Sequence, residues 1–504
     1  MAGILIAGTT SDAGKSVVTT GLCRALARRG IKVAPFKAQN MSNNSMVCAP
    51  VRRSEATRRI DDGPACEGVE IGRAQWVQSL AAQVTPEATM NPVLLKPGSD
   101  SRSHVVLMGR PWGEVSSADW LEGRRALAAA AYDAFDDLAS RFDVVVAEGA
   151  GSPAEINLRA GDYVNLGLAR HADLPTVAVG DIDRGGVFAA FLGTVALLSP
   201  EDQALMAGFI VNKFRGDLAL LEPGLRDLER LTGRRVYGTL PWHPDLWLDS
   251  EDALHLAARR SAGDRVRRVA VLRLPRISNF TDVDALGLEP DLDVVFVSDP
   301  RGLGDADLVV LPGTRATIAD LAWLRSRGLD RAVAAHVAAG KPVLGICGGF
   351  QMLGRVIRDP VGVEGAVAEV EGLGLLDVET TFAASKVLRL PHGTGLGVPA
   401  SGYEIHHGRI ACGAGAEDFL GGARAGQVFG TMWHGALEGD QLRGAFLRET
   451  LGVPVSGVSF PAARERRLDL LGQLIEEHVD VDALLSLVGE GSPAELPFLA
   501  PGAP

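Results

Sequence analysis

Gly8-Thr9-Thr10-Ser11-Asp12-Ala13-Gly14-Lys15-Ser16 is the stretch that decides the fold of the first half of this chain. The apolar run Ile4-Leu5-Ile6-Ala7 leads into it, and a helix-like stretch from Val17 to Arg29 leads out. Strand, glycine-rich loop and helix in that order are the context of a P-loop, whose backbone N–H groups turn toward a polyphosphate. The Lys15 ammonium then reaches the terminal phosphate, and the Ser16 hydroxyl is placed to hold Mg²⁺. Gly8, Thr9, Thr10, Asp12, Ala13, Gly14, Lys15 and Ser16 are therefore the candidate ATP-binding residues. Five residues, Thr9 to Ala13, separate Gly8 from Gly14-Lys15, one more than in the common pattern.

Outward from this loop, the next strong signal is Phe142-Asp143-Val144-Val145-Val146-Ala147-Glu148-Gly149-Ala150-Gly151. A buried β-branched strand ending in an acid and a glycine turn places Glu148 to face the metal beside a P-loop. Ile31 to Phe36 reads as a further strand, with Lys37-Ala38-Gln39-Asn40-Met41-Ser42-Asn43-Asn44-Ser45 at its C-terminal end. Open α/β sheets bind ligands outside that end. Gln39, Asn40, Ser42, Asn43 and Asn44 suit a substrate rich in carboxylate or amide groups, though a polar surface loop has the same composition. Asn212 closes the strand Phe209-Ile210-Val211-Asn212 and either reads the nucleotide base or caps the strand. Gly180-Asp181-Ile182-Asp183-Arg184 carries two acids and an Arg, suited to a second metal or to the acceptor. Cys48 to Gly68, rich in Arg, Asp and Pro and without a period, reads as an exposed insertion.

Ser250 to Arg268 is polar and Arg-rich, and the strand pattern restarts at Val269. The chain accordingly divides into a P-loop unit over 1–250, a linker over 251–266, a second doubly wound α/β unit over 267–490 and a tail over 491–504. In the second unit, Pro342-Val343-Leu344-Gly345-Ile346-Cys347-Gly348-Gly349-Phe350-Gln351 is a strand turning sharply into a helix at a cysteine. Gly345 and Gly349 permit such an elbow, and the helix N-terminus favours the thiolate. Backbone N–H groups of Gly348 and, across the sheet, Gly313 are candidates for an oxyanion hole. The elbow needs a base. His434, at the strand end Val428 to His434, is the first candidate, and His406 and His407 compete with it on residue type.

Composition narrows the partners. The 504 residues are 46% hydrophobic and 22% charged, ordinary for a soluble globular protein of two or three domains. A net charge of −12 without a long basic run argues against nucleic acid. Cys23, Cys48, Cys66, Cys347 and Cys412 are scattered and lack metal-ligand spacing, which predicts a reducing, cytoplasmic setting. The N-terminal apolar run is too short for a signal peptide, and no stretch predicts a membrane span.

Gly345-x-Cys347-x-Gly349-x-Gln351 resembles the elbow of class I glutamine amidotransferases, a flavodoxin-like fold, and the five-residue P-loop spacing is similar to the dethiobiotin-synthetase kind. Together the two halves resemble the glutamine-hydrolysing cobyric acid synthase family of cobalamin biosynthesis. The motifs that carry the likeness are Gln39 to Ser45, Met90 to Pro97, Glu148 to Glu155, Asp181 to Phe188, Arg276 to Asp282, Gly345 to Gln351 and Gly402 to His406. The resemblance implies ATP- and glutamine-dependent amidation of the b, d, e and g carboxylates of a corrinoid, adenosylcobyrinic acid a,c-diamide. It implies Cys347 as nucleophile with His434 as its base, Lys37 as a substrate- and phosphate-contacting residue, Glu148 as a Mg²⁺ ligand and Glu70 as a second one. Gln39 to Ser45 and Asp181 to Phe188 favour this family over the related cobyrinic acid a,c-diamide synthases. A regulatory P-loop ATPase with a vestigial amidotransferase domain is a third reading, against which Lys15, Glu148, Cys347 and His434 weigh. Ala436 stands where ordinary class I enzymes have the acid that orients the histidine, so Cys347 and His434 are expected to act as a dyad.

Overall fold

The computed structural model of the chain describes residues 3–50, 68–99, 102–116, 120–244, 246, 267–365 and 367–501. Most of the expected insertion, 51–67, and the expected linker, 251–266, lie outside the described residues. The insertion's two ends are nonetheless placed. Cys48 pairs with Val69 where the strands Ser45–Cys48 and Val69–Gly72 run antiparallel.

The first half is built on a six-stranded parallel sheet. Its order is Arg235–Pro241, Met206–Phe214, Thr176–Asp181, Gly3–Gly8, Val144–Glu148 and Val33–Phe36. Gly3–Gly8 and Val144–Glu148 are buried along their whole length, the continuous burial that a parallel sheet covered on both faces imposes. Ile6 lies opposite Glu148, and Gly8 opposite Val179, so the P-loop and the acid emerge side by side at one sheet edge. The helix Lys15–Arg28 starts at Gly14, whose φ of 100° suits only glycine.

The second half has a seven-stranded sheet. Its order is Leu292–Val297, Arg267–Leu272, Leu308–Leu311, Val343–Ile346, Val428–Thr431, Gly422–Ala425 and Glu417–Phe419. The first five are parallel and the last two antiparallel. Val343–Ile346 runs between Leu308–Leu311 and Val428–Thr431, so the residues after all three strands meet at one edge. The outcome is the α/β architecture with two doubly wound halves that the sequence predicts.

The C-terminus departs from the predicted division. The helices Phe460–His478 and Val481–Glu490, assigned by sequence to the second unit, pack on the first. Leu468, Leu474, Ile475, Val481 and Leu484 share a buried cluster with Ile4, Val18, Leu22 and Leu26. Helix Phe460–His478 approaches Lys15–Arg28 so closely that a Cβ on Gly21 would fall 2.6 Å from Ile475. Arg24 pairs with Glu465 and Asp469, and Arg29 with Glu476 and Asp482. The tail also packs on the first half, against the sheet's other face, with Ser492 donating to the Leu205 carbonyl and the Leu499 N–H to Gln203. Ile475→Ala is therefore expected to destabilise the nucleotide-binding half by about 2–5 kcal/mol, as for any large buried aliphatic truncated in a core. Denaturant unfolding checks this. A change below ~0.5 kcal/mol would show that the helix only rests on the surface.

Candidate active sites

At the P-loop, Lys15 donates to the carbonyls of Thr10 (2.9 Å) and Gly151 (3.0 Å), folded over the loop it serves. A Cβ on Gly8 would lie 2.9 Å from the Lys15 ammonium, so the lysine runs close over that glycine. Thr9 N–H donates to the Val179 carbonyl (2.9 Å), and Asp12 meets Arg184 (3.4 Å). Asn212 donates to the Ala13 carbonyl (2.9 Å) and lies against Gly14. One of its two amide N–H groups thus braces the loop.

Ser16 Oγ donates to Glu148 Oε1 (2.9 Å), and Lys37 Nζ meets the same oxygen at 2.8 Å. Gln78 donates to Glu148 Oε2 (2.5 Å). Burial alone would raise the Glu148 carboxyl. The charge and hydrogen bond of Lys37, then Gln78 and Lys15, outweigh burial and hold it below its ordinary value. Glu148 is therefore a carboxylate in contact with a hydroxyl, the hard-oxygen donor set that suits Mg²⁺ beside phosphates. Glu70 is placed otherwise. It is completely buried between Lys96 and Lys386, which hold its pKa down against burial. Both carboxylate oxygens of Glu70, the residue expected as a second Mg²⁺ ligand, face lysine ammonium groups here.

The run after Lys37 is less open than its composition suggests. Lys37, Asn40, Ser42 and Asn44 are all buried. Asn40 donates to Gln75 (3.0 Å), Ser42 Oγ accepts from Asn44 N–H (3.0 Å), and the Asn44 carbonyl accepts from Arg73 N–H (3.1 Å). Gln39 accepts from the Tyr163 hydroxyl. Asn43 faces a cavity shared with Cys347 and His434.

That cavity is the second site. Cys347 caps the helix Gly348–Leu353 with φ 51° and ψ −109°, a strained backbone for a side-chain-bearing residue. A Cβ on Gly349 would fall 2.0 Å from the Leu311 carbonyl, so the elbow closes only with glycine there. A Cβ on Gly313 would meet the His434 ring at 2.9 Å, which puts the backbone of Gly313 beside the base, and Gly348 directly follows the thiol. His434 lines this cavity with Cys347 and hydrogen-bonds through Nδ1 to Asp282 Oδ2 at 2.7 Å. Burial opposes its protonated form, but Asp282 and then Cys347 outweigh that and push its pKa up to about 10. His406 and His407 line the same cavity, yet burial pushes them down to about 3 and about 4, with Nδ1 of each on a backbone carbonyl. Only His434 has an acid behind it, and this separates it from its two rivals.

A model of the CobQ/CobB/MinD/ParA nucleotide binding domain matches residues 4–256, and a model of the CobB/CobQ-like glutamine amidotransferase domain matches 268–442. The cobyric acid synthase of Mycolicibacterium gilvum (strain PYR-GCK) is 79% identical over 504 residues, covering all of both chains. Those of Mycobacterium ulcerans (strain Agy99) and Mycobacterium bovis (strain BCG / Pasteur 1173P2) are 77% and 78% identical, again over the full length of each. The chain belongs to the cobyric acid synthase family. It is a glutamine-dependent, amide-forming ligase with a nucleotide-binding half.

Asp282 is the functional candidate in this family member that sequence reasoning left without a role. It is buried on the short turn Phe280–Val283, and its second oxygen accepts the Gly435 N–H at 2.7 Å, which fixes the carboxylate on the histidine's strand end. The expected pair of Cys347 and His434 thus has a buried carboxylate, Asp282, on the histidine. The signal was present in the stretch Arg276 to Asp282, which carried the family likeness without an assigned chemistry. No helix among the described residues is long and apolar enough to cross a membrane.

Proposed function

We propose that this protein amidates the b, d, e and g carboxylates of adenosylcobyrinic acid a,c-diamide to give adenosylcobyric acid, using ATP and ammonia released from glutamine. The observation that carries this reading is the shared cavity. Cys347 and His434 line one cavity together with Asn43 and Lys96 of the nucleotide-binding half.

In the second half, the His434 imidazolium favours a Cys347 thiolate. The thiolate attacks the side-chain carbonyl of glutamine. The C–N bond breaks as His434 gives its proton to the departing nitrogen, and ammonia leaves a glutaminyl thioester. Water, deprotonated by the now neutral His434, hydrolyses the thioester to glutamate and regenerates the thiol pair. Gly313 and Gly348 supply N–H groups for the oxyanion of each tetrahedral intermediate.

In the first half, a substrate carboxylate takes the γ-phosphoryl group of ATP, giving an acyl phosphate and ADP. Hydroxide is a poor leaving group and phosphate a good one, so ammonia can then displace phosphate to form the amide. Lys15 and the loop N–H groups neutralise charge on the phosphates, and Lys37 holds the carboxylate's approach beside Glu148. Ser16 and Glu148 would hold Mg²⁺, which supplies further neutralisation of phosphate charge when bound. Mass spectrometry of the corrinoid products tests the substrate: four new amides on the a,c-diamide support the reading, and amides formed only at a and c of cobyrinic acid would replace it.

Asp282→Asn tests the carboxylate on His434 through pH. The raised His434 pKa keeps its charged form up to about 10 and loses it above that. Without the carboxylate, the alkaline limit of glutamine hydrolysis is expected to move down toward the ordinary histidine range. An alkaline limit unmoved in the variant would remove Asp282 from the mechanism.

A further inference from the structure

The cavity beside Cys347 is lined in part by two lysines of a buried charge cluster that joins the two halves. Lys386, from the strand Val378–Arg389, reaches Glu70 Oε2 at 2.5 Å, and Lys96 holds Oε1. Glu70 is fully buried and neither lysine side chain is more than a tenth exposed. Both lysines also line the cavity. Lys96 donates to Ser45 Oγ (2.8 Å), whose N–H donates to Asn279 Oδ1 (2.9 Å), a second polar tie between the halves. From Glu70 the chain passes directly into helix Arg73–Ala81, whose Gln78 holds Glu148. The cluster therefore touches the ammonia-producing cavity on one side and connects to the nucleotide site on the other.

One carboxylate between two ammonium groups leaves a unit of positive charge in a region sheltered from water. Ammonium is repelled there, while neutral ammonia can accept a lysine N–H through its lone pair. We propose that Lys386, held on Glu70 opposite Lys96, is the gate between the glutaminase cavity and the synthetase half, keeping outside ammonium out and passing ammonia made at Cys347. The proposal rests on the glutaminase and synthetase reading above.

Lys386→Met keeps the aliphatic stem and leaves Glu70 paired with Lys96, so no buried charge is stranded. The wild-type chain and the variant receive ATP, the corrinoid a,c-diamide, unlabelled glutamine and nitrogen-15 ammonium chloride at a concentration too low to sustain synthesis by Cys347→Ala. Mass spectrometry reads the origin of each amide nitrogen, and glutamate release is measured in parallel. The wild-type amides are expected to carry glutamine nitrogen at about one glutamate per amide, the balance of one nitrogen from each glutamine. Lys386→Met is expected to incorporate label and to release several-fold more glutamate per amide, and Lys386→Arg to restore both. Unlabelled amides at unchanged stoichiometry in Lys386→Met would overturn the gate. So would loss of glutamine hydrolysis with ammonia-dependent synthesis intact, which would make Lys386 part of the glutamine pocket. If Lys386→Met melts out, Lys96→Met, which leaves Glu70 on Lys386, is read on the same two scales. A wild type that forms no amide from either nitrogen source contradicts the ligase reading itself and leaves a different signature.

Discussion

Lys15→Ala is expected to abolish amide formation from glutamine and from free ammonia alike, by on the order of 10³-fold or more, the scale of losing a cation that neutralises phosphoryl-transfer charge. Lys15 lies under the P-loop in contact with the carbonyls of Thr10 and Gly151 and is almost fully buried. The other ammonium of the site, that of Lys37, pairs with Glu148. Both nitrogen sources need the same acyl phosphate, so the loss cannot depend on which one is supplied. Phosphate release and amide formation are measured with each. Retained ammonia-dependent synthesis would take Lys15 out of the transfer step.

Cys347→Ala is expected to divide the activities instead. Glutamine-dependent synthesis should fall by roughly 10³-fold or more, as when a covalent nucleophile is removed, while synthesis from concentrated ammonia continues. Alanine fills less space than cysteine at an elbow already held by Gly345, Gly349 and the Phe350 packing, so the fold should persist. Only unprotonated ammonia attacks an acyl phosphate, so the rescue should grow with pH below the ammonium pKa. Full glutamine-dependent activity in the variant would mean that another residue is the nucleophile. Loss of both activities in a folded variant would mean that the two halves cannot work apart.

Residues that act through their immediate neighbours were legible in the sequence. The P-loop, the strand ending at Glu148 and the elbow at Cys347 each declare themselves within about a dozen residues, because loop, strand and turn chemistry are local. What crosses the fold was not. Asp282 lies 152 residues before His434, and only the pairing of sheet edges brings the two to 2.7 Å. Glu70 meets Lys96, on a strand of another sheet, and Lys386, from the other half of the chain, and no local signal records either pairing. His406 and His407 resemble His434 in type, and burial without an acid partner is what sets them apart. The pattern of Phe460–His478 shows that a face is buried; that it is buried on helix Lys15–Arg28 depends on a close approach at Gly21 that no local signal records.

The central claim is that one chain makes ammonia at Cys347 and spends it on carboxylates activated at Lys15. The most direct measurement is mass spectrometry of the corrinoid formed by the purified protein from the a,c-diamide, ATP and glutamine, with ADP and glutamate counted in the same reaction. Four carboxylates converted to amides, with one ADP and one glutamate for each, is the predicted result. A corrinoid left unchanged while ATP and glutamine are both consumed would contradict it.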